Sequence, residues 1–203
     1  MPLLKSSFNT KGVEAGCDEA GRGCLAGPVV AAAVILPPRC KIKGLDDSKK
    51  LSEKQRETLA PIIRKKALFY AVGLCSPAEI DQINILNASF LAMHKALNQI
   101  HTKIDLILVD GNRFKKYKEI PHTCIVEGDG KYLSIAAASV LAKTHRDDLM
   151  KGLHESFPQY NWAKNKGYGT LEHRRGIEAH GPCLHHRKSF TLLSPQLELF
   201  PEE

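Results

Sequence analysis

The stretch Gly16-Cys17-Asp18-Glu19-Ala20-Gly21-Arg22-Gly23 places two adjacent acids between two apolar segments. Before it, Val13–Cys17 predicts a short strand, and after it the run Pro28–Leu36 is too continuously apolar for an exposed element. Desolvated carboxylates without partners cost on the order of several kcal/mol each, so such a pair indicates a bound cation, most simply a divalent metal. The glycines beside Arg22 let a ligand approach backbone amides. Acids for a metal beside amides for an anion suggest phosphate chemistry.

Short blocks rich in glycine, serine, lysine and aspartate follow this stretch along the chain. In this order they resemble the ribonuclease HII family, whose members cut RNA within RNA/DNA duplexes. The resemblance begins with Asp18-Glu19-Ala20-Gly21-Arg22-Gly23 and spans roughly residues 13–190. The later blocks are Asp47-Ser48-Lys49-Lys50-Leu51, Val109-Asp110-Gly111, Gly128-Asp129-Gly130-Lys131, Ala136-Ala137-Ala138-Ser139-Val140-Leu141-Ala142-Lys143, Gly167-Tyr168-Gly169-Thr170 and His186-Arg187-Lys188-Ser189-Phe190.

The resemblance implies an activity and its partners. The family's enzymes are metal-dependent endoribonucleases that hydrolyse the RNA strand of RNA/DNA hybrids, including single ribonucleotides embedded in duplex DNA. They leave 5′-phosphate and 3′-hydroxyl ends by a two-metal mechanism. The expected partners are therefore RNA/DNA hybrid and DNA containing ribonucleotides, and a monomer is expected.

The pattern of apolar runs predicts an α/β fold. Three strands joined by short links, followed by strands alternating with helices, indicate a mixed sheet. We expect a five-stranded mixed sheet flanked by helices with a C-terminal helical and loop extension, and the resemblance implies that it is a ribonuclease H-like fold. The catalytic domain is predicted to be 1–190 and the C-terminal tail 191–203. The predicted strands are Val13–Cys17, Pro28–Leu36, Leu68–Leu74, Ile104–Val109 and His122–Val126. The first predicted helix is capped by Ser52 and runs to Lys66. A second helical stretch is opened by Ser76-Pro77-Ala78-Glu79 and continued by Ile83–Ile100. The remaining predicted helices are Ser134–Met150 and Leu171–His180.

Composition limits the possible classes of protein. The 203 residues suffice for one domain with a buried core, and the 43% hydrophobic and 25% charged residues are ordinary for a globular protein. No apolar run reaches the ~20 residues of a membrane span, and the start Met1–Ser7 has no secretory signal. A cytoplasmic protein without a membrane partner is expected. The net charge of +7 agrees with a polyanionic partner without proving one.

Acids at the ends of strands converge on one edge of such a sheet. Asp18 and Asp110 are each predicted to end a strand, Asp129 follows the next strand, and Glu19 can reach in from beside Asp18. Carboxylates this close repel unless a metal neutralises them, and hard oxygen ligands suit Mg²⁺ or Mn²⁺. Taken alone, Asp110 and Asp129 could simply be turn residues, since each precedes a glycine. The resemblance maps the family's four catalytic, metal-binding acids onto Asp18, Glu19, Asp110 and Asp129 and implies two Mg²⁺ or Mn²⁺ ions.

A second set of residues is expected to bind substrate. Gly21, Arg22 and Gly23 would present amides and a guanidinium to the phosphate and the ribose 2′-hydroxyl, the group that distinguishes RNA from DNA. The resemblance implies that Tyr168 packs on the sugar beside the scissile phosphate; without it, a half-buried loop aromatic is equally plausible. Basic residues alternate with aromatics here and predict a nucleic-acid surface. These residues are Tyr160, Trp162, Lys164, Lys166 and Tyr168.

Basic and hydroxyl side chains elsewhere are further candidates for phosphate contacts. Ser48-Lys49-Lys50 stands just before a helix, where anions are favoured. Ser139, Lys143 and Arg146 share one helix face at spacings i, i+4 and i+7. A solvated stripe would explain that spacing equally well, but the resemblance favours phosphate contacts. Asp147-Asp148 is expected on a solvated or ion-paired face.

The C-terminal tail carries a separate motif. Gln196-Leu197-Glu198-Leu199-Phe200 resembles the short peptide by which bacterial replication and repair proteins dock on the sliding clamp. Apolar residues at the end of a polar tail are poorly explained by solvent exposure. Either they pack back on the domain or they bind the clamp. The candidate clamp-binding residues are Gln196, Leu197, Leu199 and Phe200.

Alternative functions follow from the same residues. Gly21–Ala26 fits G-x-G-x-x-A, with Asp46 about 20 residues further on, which outlines a dinucleotide-binding oxidoreductase. That alternative needs a helix at the glycines, whereas Pro28 and the run after it favour a strand. A non-catalytic basic nucleic-acid-binding module would bind a duplex without cutting it. Ribonuclease HIII or a resolvase would share the fold but differ in substrate.

Overall fold

The computed structural model describes residues 4–9 and 12–193. In this part of the chain the strands are β1 (Glu14–Ala20), β2 (Val29–Ile35), β3 (Phe69–Cys75), β4 (Leu106–Asp110) and β5 (His122–Ile125). The helices are α1 (Glu53–Lys66), α2 (Pro77–Leu97), α3 (Leu133–Ser156), α4 (Trp162–Asn165) and α5 (Leu171–His180). Two short 3₁₀ turns, Gly128–Gly130 and Pro158–Tyr160, complete the regular structure.

The strands form one mixed sheet in the order β3-β2-β1-β4-β5. The first three strands pair antiparallel, while β1, β4 and β5 run parallel. Because parallel strands end at the same edge, the residues at the carboxyl ends of β1, β4 and β5 meet there. The prediction of a five-stranded mixed sheet flanked by helices is confirmed. The division of the chain at residue 190 stays a prediction.

Helices cover both faces of the sheet. The core on one face joins β1–β4 to α2, and the core on the other joins β2 to α1 and α3. Every residue of β2 is buried, which explains why its sequence is apolar throughout. Helix α3 lies close on β1, because a Cβ added at Gly16 would overlap the backbone of Ser134 and Ile135. The helix that carries Ser139 is thereby held directly against the strand that carries Asp18.

Two element boundaries differ from the prediction in ways that matter. Strand β1 continues to Ala20, so Asp18 and Glu19 lie within the strand rather than beyond it. The capped turn at Ser76 and the helix after it form one element, interrupted by the non-helical Asn84 (φ 64°, ψ 164°). The helix begins with a capping box, in which the side chains of Ser76 and Glu79 each accept a hydrogen bond from the other residue's backbone amide.

The dinucleotide-binding alternative is wrong. It requires a helix to start at Gly21–Gly23 and a parallel strand to follow. A turn stands there instead, and β2 returns antiparallel to β1. No helix in the described residues is long and apolar enough to cross a membrane.

Candidate active site

Three of the four predicted acids lie side by side on neighbouring strands. Cys17 pairs with Val109 across the parallel strands β1 and β4, so the next residues, Asp18 and Asp110, are adjacent. Glu19 follows Asp18, and its amide donates to Asp18 Oδ1 at 2.7 Å. The register of the parallel pair therefore brings together acids that are 92 positions apart in the sequence.

Asp129, the fourth acid, lies on the 3₁₀ turn that follows β5. This turn is tied to Asp110, whose Oδ1 accepts a hydrogen bond from the amide of Gly128 at 2.7 Å. Asp129 is 2% exposed, and its buried Oδ2 has no hydrogen-bond partner in the described residues. Among the residues that the structure describes, Lys49 supplies the nearest cation, with its Nζ 3.7 Å from that oxygen, beyond hydrogen-bond distance.

Burial and mutual repulsion change how these acids titrate. Burial, followed by repulsion from Glu19 and Asp110, raises the pKa of Asp18 well above its ordinary value. Burial also raises the pKa of Glu19, although the Arg22 guanidinium, 3.1 Å from Glu19 Oε1, opposes it. Burial and then the charge of Asp110 raise the pKa of Asp129 to about 6. The site holds more negative charge than its surroundings neutralise.

A divalent cation fits this set of acids. An unpartnered buried carboxylate oxygen and carboxylates that repel one another are what a cation would satisfy. In the described residues no three His, Cys, Asp or Glu side chains already stand in coordinating geometry.

A cavity of about 500 Å³ opens over the acids. It brings together eleven of the site residues predicted from the sequence and adds Ala20 and Arg56. Its lining consists of Asp18, Glu19, Ala20, Gly21, Arg22, Gly23, Ser48, Lys49, Arg56, Asp110, Ser139, Lys143 and Tyr168. Asp129 lies behind this lining, while Lys50 is exposed outside it and pairs with Asp46 at 3.6 Å. A smaller cavity of about 350 Å³, between α2 and Lys115, holds none of the predicted residues.

The glycine turn at the cavity is held from behind by a buried arginine. Arg187 Nη2 and Nη1 donate to the carbonyls of Gly21 and Arg22 at 2.7 and 2.8 Å. Gly21 has φ +93°, a conformation in which a side chain would be strained, and Arg187 is 0% exposed. In the described residues the amides of Arg22 and Gly23 make no hydrogen bond. Their N–H groups are thus available to an anion.

Arg146 does not fit the predicted role of a phosphate contact. It is 0% exposed, and its guanidinium donates to the carbonyls of Pro28, Lys166 and Ala26 at 3.0, 2.8 and 3.0 Å. The face it shares with Ser139 is covered at that point by the loop after the glycine turn. Arg146 therefore supports the site from below.

Tyr168 lines the cavity, and its predicted packing on a sugar stays a prediction. Its ring is 41% exposed, and Lys143 Nζ lies 5.4 Å from the ring centre. The Tyr168 backbone forms a bridge with Cys24, which places the ring opposite the glycine turn. Exposed aromatic surface with a cation beside it suits a nucleic-acid ligand.

The basic and aromatic stretch before Tyr168 is a corrected prediction. Tyr160 and Trp162 are 2% and 0% exposed and pack with Met150 and Ile177 in a core of their own. They stabilise the C-terminal extension and present no surface to nucleic acid. Lys166 is buried too, while Lys164 is exposed and pairs with Glu172 at 3.7 Å.

Sequence reasoning missed Arg56, which lines the cavity from α1. Its neighbours Lys54 and Glu57 are also charged, so nothing in the local sequence distinguishes it. The expectation that Asp147 is ion-paired agrees with its contacts, since it faces Arg56 Nη2 at 3.3 Å and Lys143 Nζ at 2.7 Å. It is buried rather than solvated, with 3% exposure.

The candidate clamp-binding residues Gln196, Leu197, Leu199 and Phe200 lie outside the described residues.

Comparison with known proteins agrees with this architecture. The profile of the family described as ribonuclease HII matches residues 15–193. The ribonuclease HII of Bacteroides fragilis is 61% identical, over 98% of this chain and 99% of that protein. The structure of the ribonuclease H2 from Pyrococcus horikoshii OT3 superposes with a TM-score of 0.72 at 26% identity, covering 89% of this chain and 94% of that one. The structure of the PCNA:RNase HII complex from Archaeoglobus fulgidus superposes with a TM-score of 0.71 at 27% identity, covering 93% of this chain and 100% of that one.

Proposed function

Because this chain belongs to the ribonuclease HII family and is therefore an endoribonuclease that acts on RNA/DNA hybrids, we propose that its four clustered acids form the catalytic centre. The acids are Asp18, Glu19, Asp110 and Asp129. The observation that carries the proposal is the buried Oδ2 of Asp129, which has no hydrogen-bond partner in the described part of the chain and follows the adjacent carboxylates of β1 and β4. Enzymes of this family depend on divalent metal. We propose that two Mg²⁺ or Mn²⁺ ions bind here.

The acids and the cavity divide the work of hydrolysis. When bound, such ions activate a water and stabilise the leaving 3′ oxygen. Asp18 and Asp110, which are adjacent on β1 and β4, would hold the ions together with Glu19 in the cavity lining and with Asp129 next to it. Arg22 both pairs with Glu19 and reaches solvent, with 53% of its side chain exposed, so it can meet the substrate.

Recognition of the ribonucleotide would take place between the glycine turn and Tyr168. The free amides of Arg22 and Gly23 face the place where a phosphate and a 2′-hydroxyl would bind. Tyr168 would pack on the sugar from the opposite wall. Ser48, Lys49, Lys50, Ser139 and Lys143 would contact the phosphate backbone, the lysines by charge and the serines by hydrogen bonds.

The proposal is tested by cleavage of a DNA duplex that carries one ribonucleotide. The chain and its Asp110→Asn variant are compared with Mg²⁺ or Mn²⁺, beside all-DNA and all-RNA duplexes. A single cut on the 5′ side of the ribonucleotide that Asp110→Asn abolishes is the expected result. Tight duplex binding without cutting in either metal would favour the non-catalytic binding module. If only long hybrids were cut, the catalytic role of the acids would stand, but the proposed roles of Arg22 and Tyr168 in recognising a single ribonucleotide would be contradicted.

We also propose that the tail binds a sliding clamp and that the chain acts as a monomer. The clamp proposal is supported by the motif at Gln196–Phe200 and by the related archaeal enzyme, which forms a complex with PCNA. A pull-down with a bacterial clamp would compare the full chain with one that ends at Ser194. Equal retention of both would contradict the clamp proposal, and elution as a dimer in light scattering would contradict the monomer.

A further inference from the structure

A buried ion cluster joins α1 and α3 beside the cavity. Asp147 of α3 receives Lys143 Nζ on Oδ1 at 2.7 Å and Arg56 Nη2 on Oδ2 at 3.3 Å. Lys143 and Arg56 both line the cavity, whereas Asp147 does not. A carboxylate that is 3% exposed between two cavity cations fixes where both of them stand.

Arg56 extends this cluster to the loop before α1. Its Nη1 donates to the carbonyl of Leu51 at 2.5 Å and to that of Ser48 at 3.2 Å. The Ser48 hydroxyl in turn lies 2.8 Å from that of Ser139, and both serines line the cavity together with Asp18. Polar contacts thus run from Asp147 through Arg56 and Ser48 to Ser139, which lines the same cavity as Asp18 and Asp110.

We propose that Asp147 and Arg56 are positioning residues for the cleavage reaction. Asp147 holds Lys143 and Arg56 in place, and Arg56 holds the Ser48 loop, so the phosphate contacts of α3 and of the Ser48 loop keep a fixed spacing from the acids. This inference rests on the proposed function, in which Lys143 and Ser48 meet the substrate backbone. Neither residue needs to touch the reacting atoms.

The simplest competing explanation is that the cluster only ties α1 to α3. The chain contains a second tie of that kind, because Lys151 of α3 bonds Glu53 and Glu57 of α1 at 2.9 and 2.8 Å. These side chains are about 40% exposed and none lines the cavity. Lys151→Met therefore serves as a matched control, since it breaks an ion pair between the same two helices away from the substrate.

For Asp147→Asn, a pure charge effect and a positioning effect predict different results: the first strengthens duplex binding, and the second lowers the cleavage rate. Removing a negative charge beside the cavity would strengthen binding of a polyanionic duplex by simple electrostatics. Releasing Lys143 and Arg56 from their common partner would slow cleavage. A variant that binds duplex as well as or better than wild type but cuts it more slowly is explained by positioning and not by charge.

The experiment measures binding and cutting separately on a DNA duplex with one ribonucleotide. Duplex Kd is measured by fluorescence anisotropy in EDTA, and the single-turnover rate with saturating enzyme and Mg²⁺, for wild type, Asp147→Asn, Arg56→Lys and Lys151→Met. We expect Asp147→Asn and Arg56→Lys to cut at least 10-fold more slowly with Kd unchanged or lowered, and Lys151→Met to stay within twofold of wild type. Arg56→Lys keeps the charge but lacks the planar fork that bonds Asp147 and two carbonyls together.

Any other result contradicts either the positioning inference or the proposed function. Asp147→Asn cutting within twofold of wild type, or Lys151→Met losing as much as Asp147→Asn, overturns the inference. Where thermal unfolding shows that Asp147→Asn does not fold, Arg56→Lys decides alone by the same thresholds. If the wild-type chain binds the duplex but does not cut it, both the proposed function and this inference are overturned. If the wild-type chain cuts the duplex and both variants cut it equally fast, only the inference is overturned.

Discussion

At the scale of single residues, the site trades folding stability for function. Asp129 is nearly fully buried, carries an unpartnered oxygen and is repelled by Asp110. Its pKa of about 6, against an ordinary value of 3.8, means that the folded chain disfavours the charged form. Above pH 6 this penalty is fully present, and it decreases as the pH falls towards 3.8. The chain bears this cost in the absence of metal.

We predict that Asp129→Asn stabilises the metal-free chain and disables it. The amide is close in shape but uncharged, so removing the repulsion raises the free energy of unfolding by roughly 1–3 kcal/mol at pH 8. That corresponds to an increase of several degrees in Tm. Cleavage is expected to fall at least 100-fold. Thermal unfolding in EDTA and a cleavage assay measure the two effects, and a Tm equal to or below that of wild type would contradict the electrostatic explanation.

Tyr168 allows a sharper test of the recognition wall. Tyr168→Phe keeps the ring that would stack on the sugar, whereas Tyr168→Ala removes it; a stacking contact contributes about 1–3 kcal/mol. We predict that cleavage at a single ribonucleotide drops roughly 10- to 100-fold in Tyr168→Ala and less than threefold in Tyr168→Phe. Equal losses in both would assign the effect to the hydroxyl group instead of the ring.

At the scale of elements, the close contact between β1 and α3 determines the geometry of the site. Gly16 lies against the backbone of Ser134 and Ile135, where neither partner is a flexible side chain that could move aside. This contact sets the depth of Ser139 relative to Asp18. A methyl group here must push the helix off the strand.

We predict that Gly16→Ala destabilises the fold by about 1–3 kcal/mol, the typical range for overpacked cores. Gly152→Ala in α3 is the matched control, since nothing lies within 4 Å of its added Cβ and alanine favours helix by up to ~1 kcal/mol. Urea unfolding of both variants gives the comparison. Two variants of similar stability would show that the β1–α3 contact can yield.

The sequence predicts the sheet and the convergence of the acids because both depend on local signals. The run in β2 and the acids at the ends of β1 and β4 follow from hydrophobic pattern and from the rule that parallel strands end together. Contacts between side chains that are far apart in the sequence produce no local pattern from which they could be predicted. Arg56 finds Asp147 91 positions away, and Arg146 is buried by a loop 120 positions before it. Lys143 and Arg146 share one face of α3, yet Lys143 lines the cavity while Arg146, one turn further on, is covered by a loop.

At the scale of the whole molecule, two buried histidines join the C-terminal extension together. His173 Nδ1–H donates to the carbonyl of Tyr168 at 2.9 Å, so its Nε2 is free to accept from Trp162 Nε1–H at 2.9 Å. His186 Nδ1 accepts from the amide of Cys183 at 3.0 Å, which leaves its proton on Nε2, 3.1 Å from His173 Nε2. Both rings are therefore neutral, and a further proton on either would face another donor.

We predict that this cluster makes the fold sensitive to acid. Burial, followed by the neighbouring His173 and His185, lowers the pKa of His186 to about 4, against 6.5 in the unfolded chain. Between these values the unfolded state binds more protons, so the contribution to stability is complete above pH 6.5 and is lost as the pH falls towards 4. The loss is about 3 kcal/mol at most. Urea unfolding at pH 7.5 and 5.0, followed by fluorescence of the single tryptophan, Trp162, measures it.

The acids of the active site oppose this trend, because their raised pKa values make the folded chain more stable as the pH falls. The wild-type slope is therefore the sum of two effects of opposite sign, and a variant is needed to separate them. His186→Gln can still donate to His173 but cannot titrate, so its stability should fall less between pH 7.5 and 5.0 than that of wild type. His101→Gln, at an exposed position, should keep the wild-type slope. If His186→Gln and wild type lose the same stability over this interval, the acid sensitivity of the molecule does not arise from the histidines of its C-terminal extension.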